Sequence, residues 1–137
     1  RGEALAFLEW AERAGMRGQA EGGAAGGSGN GRGSVLSVLY PLRDGTPLDE
    51  RTLDHLEGYR GSRPVRIGNG AAGQFQLDIY GELLAAADQI TRLGGTVDAP
   101  LWGFLTRVAE ECCARWREPD EGIWEVRGPP RHFVHSK

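Results

Sequence analysis

The stretch "GIWEVRG", residues 122–128, sets the carboxyl of Glu125 among Ile123, Trp124 and Val126, with the cation of Arg127 two positions on. On these residues alone, a solvated glutamate paired with Arg127 is the favoured reading, because carboxylates are mostly exposed. Trp124 offers a flat apolar face, and a core tryptophan is the simpler account of it. Arg127 either binds a ligand or orients Glu125; as a cation it would also favour the ionised carboxylate. A second polar stretch lies upstream in "RPVRIGNGAAG", residues 63–73. Arg63 and Arg66 carry forked donors suited to hydroxyls or to a carboxylate, and a structural ion pair is an equal alternative. Asn69 either bonds a ligand or caps its own turn, with the turn favoured.

Gly68-Asn69-Gly70-Ala71-Ala72-Gly73 spells G-x-G-x-x-G. A dinucleotide fingerprint needs a buried strand before the first glycine and an acid at the end of a second strand. "RPVRI" is too short and too charged for the first. Asp88, the acid near the right distance, falls inside a helical pattern. The glycines therefore argue for a turn and against a nucleotide site. His132 and His135 are spaced to share a helical face, but no third ligand accompanies them, so no metal site is expected. Cys112 and Cys113 are neighbours that a helix would point about 100° apart. They read as small reduced residues, without a disulfide. Asp120 and Glu121 read as a solvated turn.

The elements that must position these groups are mainly helices. "GEALAFLEWAERAG" repeats Ala4, Phe7, Leu8 and Ala11 at helical spacing, and Gly15 is expected to stop it. Residues 18–33 are half glycine and predict a flexible loop. "SVLSVLY", residues 34–40, is β-prone and "RDGT" then offers a turn, so a short strand or a β-hairpin is expected. Residues 48–56 suggest a helical turn, and residues 60–72 a long ordered loop. The strongest helix is expected over residues 74–93, with Phe75, Ile79, Leu83, Ala86 and Ile90 as its apolar stripe. Gly94-Gly95 ends it. Asp98 is the expected N-cap of the next helix, with Pro100 in its first turn. That helix should run to about residue 117, burying Leu101, Leu105, Val108, Cys112 and Trp116. The fold class is all-α, with about three main helices. Three helices hide too little surface to cover so many apolar faces, so the chain reads as part of something larger.

Composition adds exclusions. The chain has 137 residues, 39% apolar and 26% charged, and a net charge of −3. These values describe an ordinary globular domain. No basic block suggests nucleic acid, and no apolar run approaches the ~20 residues that cross a membrane. No signal peptide is apparent, and a cytoplasmic protein is the expectation.

Read at greater length, "GYRGSRPVRIGNGAAGQFQLDIYGELL", residues 58–84, resembles a segment of bacterial glycoside hydrolase family 15. That family holds glucoamylases, glucodextranases and a trehalase branch. "DEGIWEVRGPPRHFVHSK", residues 120–137, resembles a second segment of the family, and the two helices between them fit its spacing. The resemblance covers most of residues 36–137 and the first helix, but not residues 18–33. Family members commonly carry alanine where Gly70 stands, which implies that the glycine fingerprint is accidental.

The resemblance implies a fragment of an (α/α)6 toroid and an inverting, exo-acting hydrolysis that releases glucose from trehalose or α-1,4-glucans. Such chemistry needs an acid, kept protonated by apolar surroundings or a nearby negative charge, and a base that activates water. By resemblance Glu125 is the general acid, and Trp124, Arg63, Arg66, Asn69 and Arg127 are substrate-binding. The implied partners are a disaccharide or oligosaccharide and the remainder of the same catalytic domain. No redox cofactor is implied, and a phosphate or divalent-ion requirement stays open. The family's upstream Arg-Asp pair and its downstream base glutamate have no counterpart among these residues, so the fragment alone is expected to be inactive. The rival reading is a noncatalytic carbohydrate-binding or regulatory protein that keeps the helical scaffold.

Overall fold

The Asp98 carboxylate accepts the amide of Leu101 at 2.9 Å, and Pro100 stands in the turn that follows. In the computed structural model, which describes residues 2–21, 34–43 and 46–137, this cap opens the helix α3, Ala99–Arg115. Its buried face is Leu101, Phe104, Leu105, Val108 and Arg115. Trp116 follows the last helical residue and is half-exposed, so the expected stripe ends one turn earlier.

The preceding helix, α2, spans Asp78–Arg92 and begins later than its apolar pattern suggests. Residues 74–77 do not join it because their amides are engaged elsewhere. Phe75 donates to Glu121 and Leu77 to Asp120. The buried face is Tyr80, Leu83, Ala87 and Ile90, rotated from the expected stripe; Ile79 and Ala86 are only half-buried. Gly94 and Gly95 close the helix, with the Gly94 amide bonded to Thr91 O and the Gly95 amide to Ile90 O.

The first helix, α1, spans Gly2–Glu21 and passes straight through Gly15, which does not stop it. A Cβ at Gly15 would lie 2.9 Å from the Phe104 ring and 2.9 Å from Val35 O. The glycine marks the close approach of α1 to α3, a packing reason that local pattern does not carry. Leu8, Ala11 and Ala14 are buried, whereas Ala4 and Phe7 are exposed. The first residues of the expected glycine-rich loop are thus the last turn of α1. Residues 22–33 lie outside the described residues.

Residues 34–40 form no strand. Their polar groups bond to side chains: Val35 N donates to Glu111 Oε2 at 2.7 Å, and Ser34 Oγ donates to Glu111 Oε1 at 3.0 Å. This fixes Leu36 in the core. Part of the expected turn, residues 44–45, lies outside the described residues. Residues 48–56 hold no helix, only a single turn closed by the Leu56 amide on Leu53 O at 3.1 Å. They contribute β1, Arg51–Thr52, which pairs antiparallel with β2, Arg66–Ile67. Arg51 faces Ile67 and Thr52 faces Arg66. Strands this short leave no readable period.

The three helices pack mutually around one core of Leu8, Phe75, Tyr80, Leu83, Leu101, Phe104 and Val108, with their neighbours. Full burial of a large apolar side chain contributes ~1.5–3 kcal/mol. The regular structure among the described residues is three helices, with short 3₁₀ turns and one two-stranded ribbon, consistent with a fragment of an all-α toroid. None of the described helices is long and apolar enough to cross a membrane.

Candidate active site

The two polar stretches meet through backbone and carboxylate bonds at the N-terminal end of α2. Asp120, wholly buried, accepts the Leu77 amide through Oδ2 at 3.0 Å. Glu121, half-buried, accepts the Phe75 amide at 2.9 Å. These two acids are structural clamps and not a solvated turn. Their place beside the N-terminal amides of a helix suits negative charge. Arg115 lies beneath: its guanidinium sits 3.4 Å from the centre of the Phe75 ring and pairs with Glu111 at 3.0 Å and Glu118 at 2.9 Å. A buried guanidinium is tolerable here because carboxylates and an aromatic face replace its water.

On the upstream side, Gly68 takes φ +73°, and a Cβ there would stand 2.1 Å from Asp49 O. Only glycine lets this turn pass so close to β1's approach. Asn69 Oδ1 then accepts the Ala71 amide at 3.0 Å and caps a 3₁₀ turn, Gly70–Gly73. A Cβ at Gly70 would meet nothing nearer than Glu50 Oε2 at 3.8 Å, so alanine fits there. The strand before these glycines is short, exposed and antiparallel, unlike that of a dinucleotide-binding turn.

On the downstream side, Gly122 takes φ +67°, and a Cβ there would stand 2.7 Å from the Phe133 ring. Glu125 N donates back to Gly122 O at 3.1 Å, and Glu125 itself takes φ +50°. A non-glycine residue in the left-handed region costs ~1–2 kcal/mol, a strain that gathers at functional sites.

A pocket of about 320 Å³ opens between the two stretches, lined by Asn69, Gly70, Gln74, Glu121, Glu125 and Arg127, among others. The structure therefore brings together Asn69, Glu125 and Arg127. Arg66 stands outside the lining but joins Arg127 on one carboxylate. Glu50 receives Arg127 Nη1 at 3.0 Å and Nη2 at 2.7 Å, and Arg66 Nε lies 3.3 Å from it. These cations, Arg127 foremost, hold the Glu50 carboxyl below its ordinary value. Arg127 is raised in turn, chiefly by Glu50. Arg63 and Trp124 do not line the pocket; Arg63 is exposed, and Trp124 is 82% exposed beside Glu125.

Sequence reasoning missed Glu50. It carries no local signal, because its partners Arg66 and Arg127 reach it only through the fold. His135 Nε2 is 4.0 Å from Asp78 Oδ2, while burial pushes the Asp78 carboxyl up. Among the described residues, no group of three or more His, Cys, Asp or Glu side chains is placed to hold a metal. Cys112 and Cys113 are unpaired. A second hollow, of about 270 Å³, has almost wholly apolar walls, including Phe7, Trp10, Leu36, Tyr40 and Leu83.

These features define a helical protein with a polar, carboxylate-lined pocket built in its loops. The chain belongs to glycosyl hydrolases family 15, which residues 32–137 match. It is 46% identical over 111 residues to the trehalase of Mycobacterium tuberculosis, covering 81% of this chain and 16% of that protein. The trehalase of Mycolicibacterium smegmatis is 45% identical over 111 residues, covering 81% of this chain and 17% of that protein. The trehalase of Thermoplasma volcanium is 42% identical over 106 residues, covering 77% and 17%. The chain thus spans between 16% and 19% of the length of the curated relatives it matches. No solved structure matches it significantly.

Proposed function

We propose that residues 1–137 are part of the catalytic domain of an inverting glycoside hydrolase that releases glucose from an α-glucoside, with Glu125 as general acid. The carrying observation is the pocket in which Glu125 and Arg127 of the downstream stretch meet Asn69 of the upstream one. Relatives described as trehalases favour trehalose over α-1,4-glucan as the substrate.

In this reading Glu125 gives its proton to the glycosidic oxygen as the C1–O bond breaks. Water attacks C1 from the opposite face and loses its proton to a carboxylate base supplied by the rest of the domain. The two carboxyls of the complete enzyme would lie ~6.5–9.5 Å apart, leaving room for that water. Asn69, Arg66 and Arg127 provide donors for sugar hydroxyls. Arg63 and Trp124 are exposed and do not line the pocket, and their contact with sugar would depend on surfaces that the rest of the domain supplies. That remainder would also supply the apolar cover that a general acid needs. The unpaired thiols fit a reducing compartment, and a cytoplasmic location, testable by cell fractionation, belongs to the proposal.

The test uses the full-length protein and its Glu125→Gln variant, each incubated with trehalose and with maltooligosaccharides while NMR follows the glucose anomer first released. β-Glucose from the native protein alone supports an inverting hydrolase that depends on Glu125. Sugar binding without release would favour the noncatalytic carbohydrate-binding alternative.

A further inference from the structure

Glu50 is the point at which three separate pieces of chain converge. Its carboxylate takes both terminal nitrogens of Arg127, at 3.0 and 2.7 Å, from the downstream stretch. It pairs with Arg66 Nε at 3.3 Å and accepts the Gly70 amide at 3.4 Å, both from the upstream stretch. The backbone makes the same connection: Asn69 N donates to Leu48 O at 2.9 Å, two residues before Glu50. The Glu50 side chain is 21% exposed, against 44% for Arg66 and 67% for Arg127. The carboxylate is thus the inner, anchored member, and the two cations lie outside it.

We propose that Glu50 is a positioning residue of the sugar pocket, locking the Arg127 guanidinium against the Asn69–Gly70 turn. This rests on reading the pocket as the sugar site. A bidentate carboxylate fixes both the position and the plane of a guanidinium. Arg127 has five N–H donors and spends two on Glu50, leaving three in a fixed fan for hydroxyls. Without Glu50, an arginine this exposed would sample many rotamers, and a bound sugar would have to order it. The loss should therefore appear in binding more than in the chemical step.

The test is a double-mutant cycle on the full-length protein with trehalose: native, Glu50→Gln, Arg127→Lys and the double variant. Each single change should raise KM on the order of tenfold while kcat moves much less, the size expected for one charge-assisted bidentate contact. The double variant should be no worse than Arg127→Lys, because Glu50 acts through Arg127. An unchanged KM in Glu50→Gln, or effects that multiply in the double variant, would overturn the proposal while leaving the hydrolase reading intact. A native protein that hydrolyses neither trehalose nor maltooligosaccharides would instead sink the reading and the proposal with it; if only the latter are cleaved, the cycle is run on them. If Glu50→Gln fails to fold, Glu50→Asp keeps the charge and withdraws it by one methylene. The same rise in KM is then expected, and an unchanged KM overturns the proposal.

Discussion

Phe75 and Glu121 bind each other twice: the Phe75 amide donates to the Glu121 carboxylate at 2.9 Å, and the Glu121 amide donates to the Phe75 carbonyl at 3.1 Å. This reciprocal pair sits between the end of the Gly70–Gly73 turn and the bend at Gly122. It makes the upstream and downstream walls of the pocket one unit. Leu77 and Asp120 repeat the link one step along, inside the core.

Asp120→Ala should therefore destabilise the full-length protein. It would leave the buried Leu77 amide without its acceptor, at a cost of about 1–3 kcal/mol. Denaturant unfolding measures this; a change under about 0.5 kcal/mol would show that the clamp contributes little.

The glycines of "GNGAAG" should respond unequally. Gly68→Ala forces a Cβ to within 2.1 Å of Asp49 O at positive φ and should cost at least about 1 kcal/mol. Gly70→Ala meets only ordinary contact and should stay within about 0.5 kcal/mol of native. Paired melting curves compare the two, and equal losses would contradict the local geometry.

Acid should loosen the Glu50 knot. Arg127, with Arg66, keeps the folded carboxyl below its ordinary value of 4.5, so its contribution is present above that pH. As pH falls below 4.5 and through the lower folded value, protonation removes the contribution. Melting temperature measured against pH should fall more steeply in native protein than in Glu50→Gln over that range. Parallel curves would mean that the ion pair is not linked to stability.

Asp78 should show the opposite sign. Burial foremost raises its folded carboxyl above the ordinary 3.8. Ionisation at neutral pH then weakens the fold, and stability is lost as pH rises through the folded value. Asp78→Asn should raise the melting temperature at pH 7, with the gain shrinking in acid. A lower melting temperature would place the larger effect in the helix-terminal charge.

At the core, Phe104→Ala should cost about 3–5 kcal/mol, because its ring is wholly buried where α1 crosses α3. Gly15→Ala tests the same crossing from the other side: it should lower the melting temperature despite alanine's better helix propensity. A higher melting temperature would mean that the helices separate freely there.

The all-α class, the Asp98 cap of α3, the Gly-Gly end of α2 and the two polar stretches can be read from local sequence. Each depends on neighbours a few residues apart, where capping chemistry and helical period act. The family also was legible there, in residues 58–84 and 120–137. Tertiary structure alone decided that α2 starts at Asp78, that Gly15 continues a helix, that residues 34–40 are no strand, and that Asp120 is buried. Those outcomes turn on partners distant in the chain: Phe75 with Glu121, Gly15 with Phe104, Val35 with Glu111, Leu77 with Asp120. Glu50 belongs with them. Its role exists only because folding carries Arg127 to a carboxylate 77 positions away, a pairing that no local period encodes.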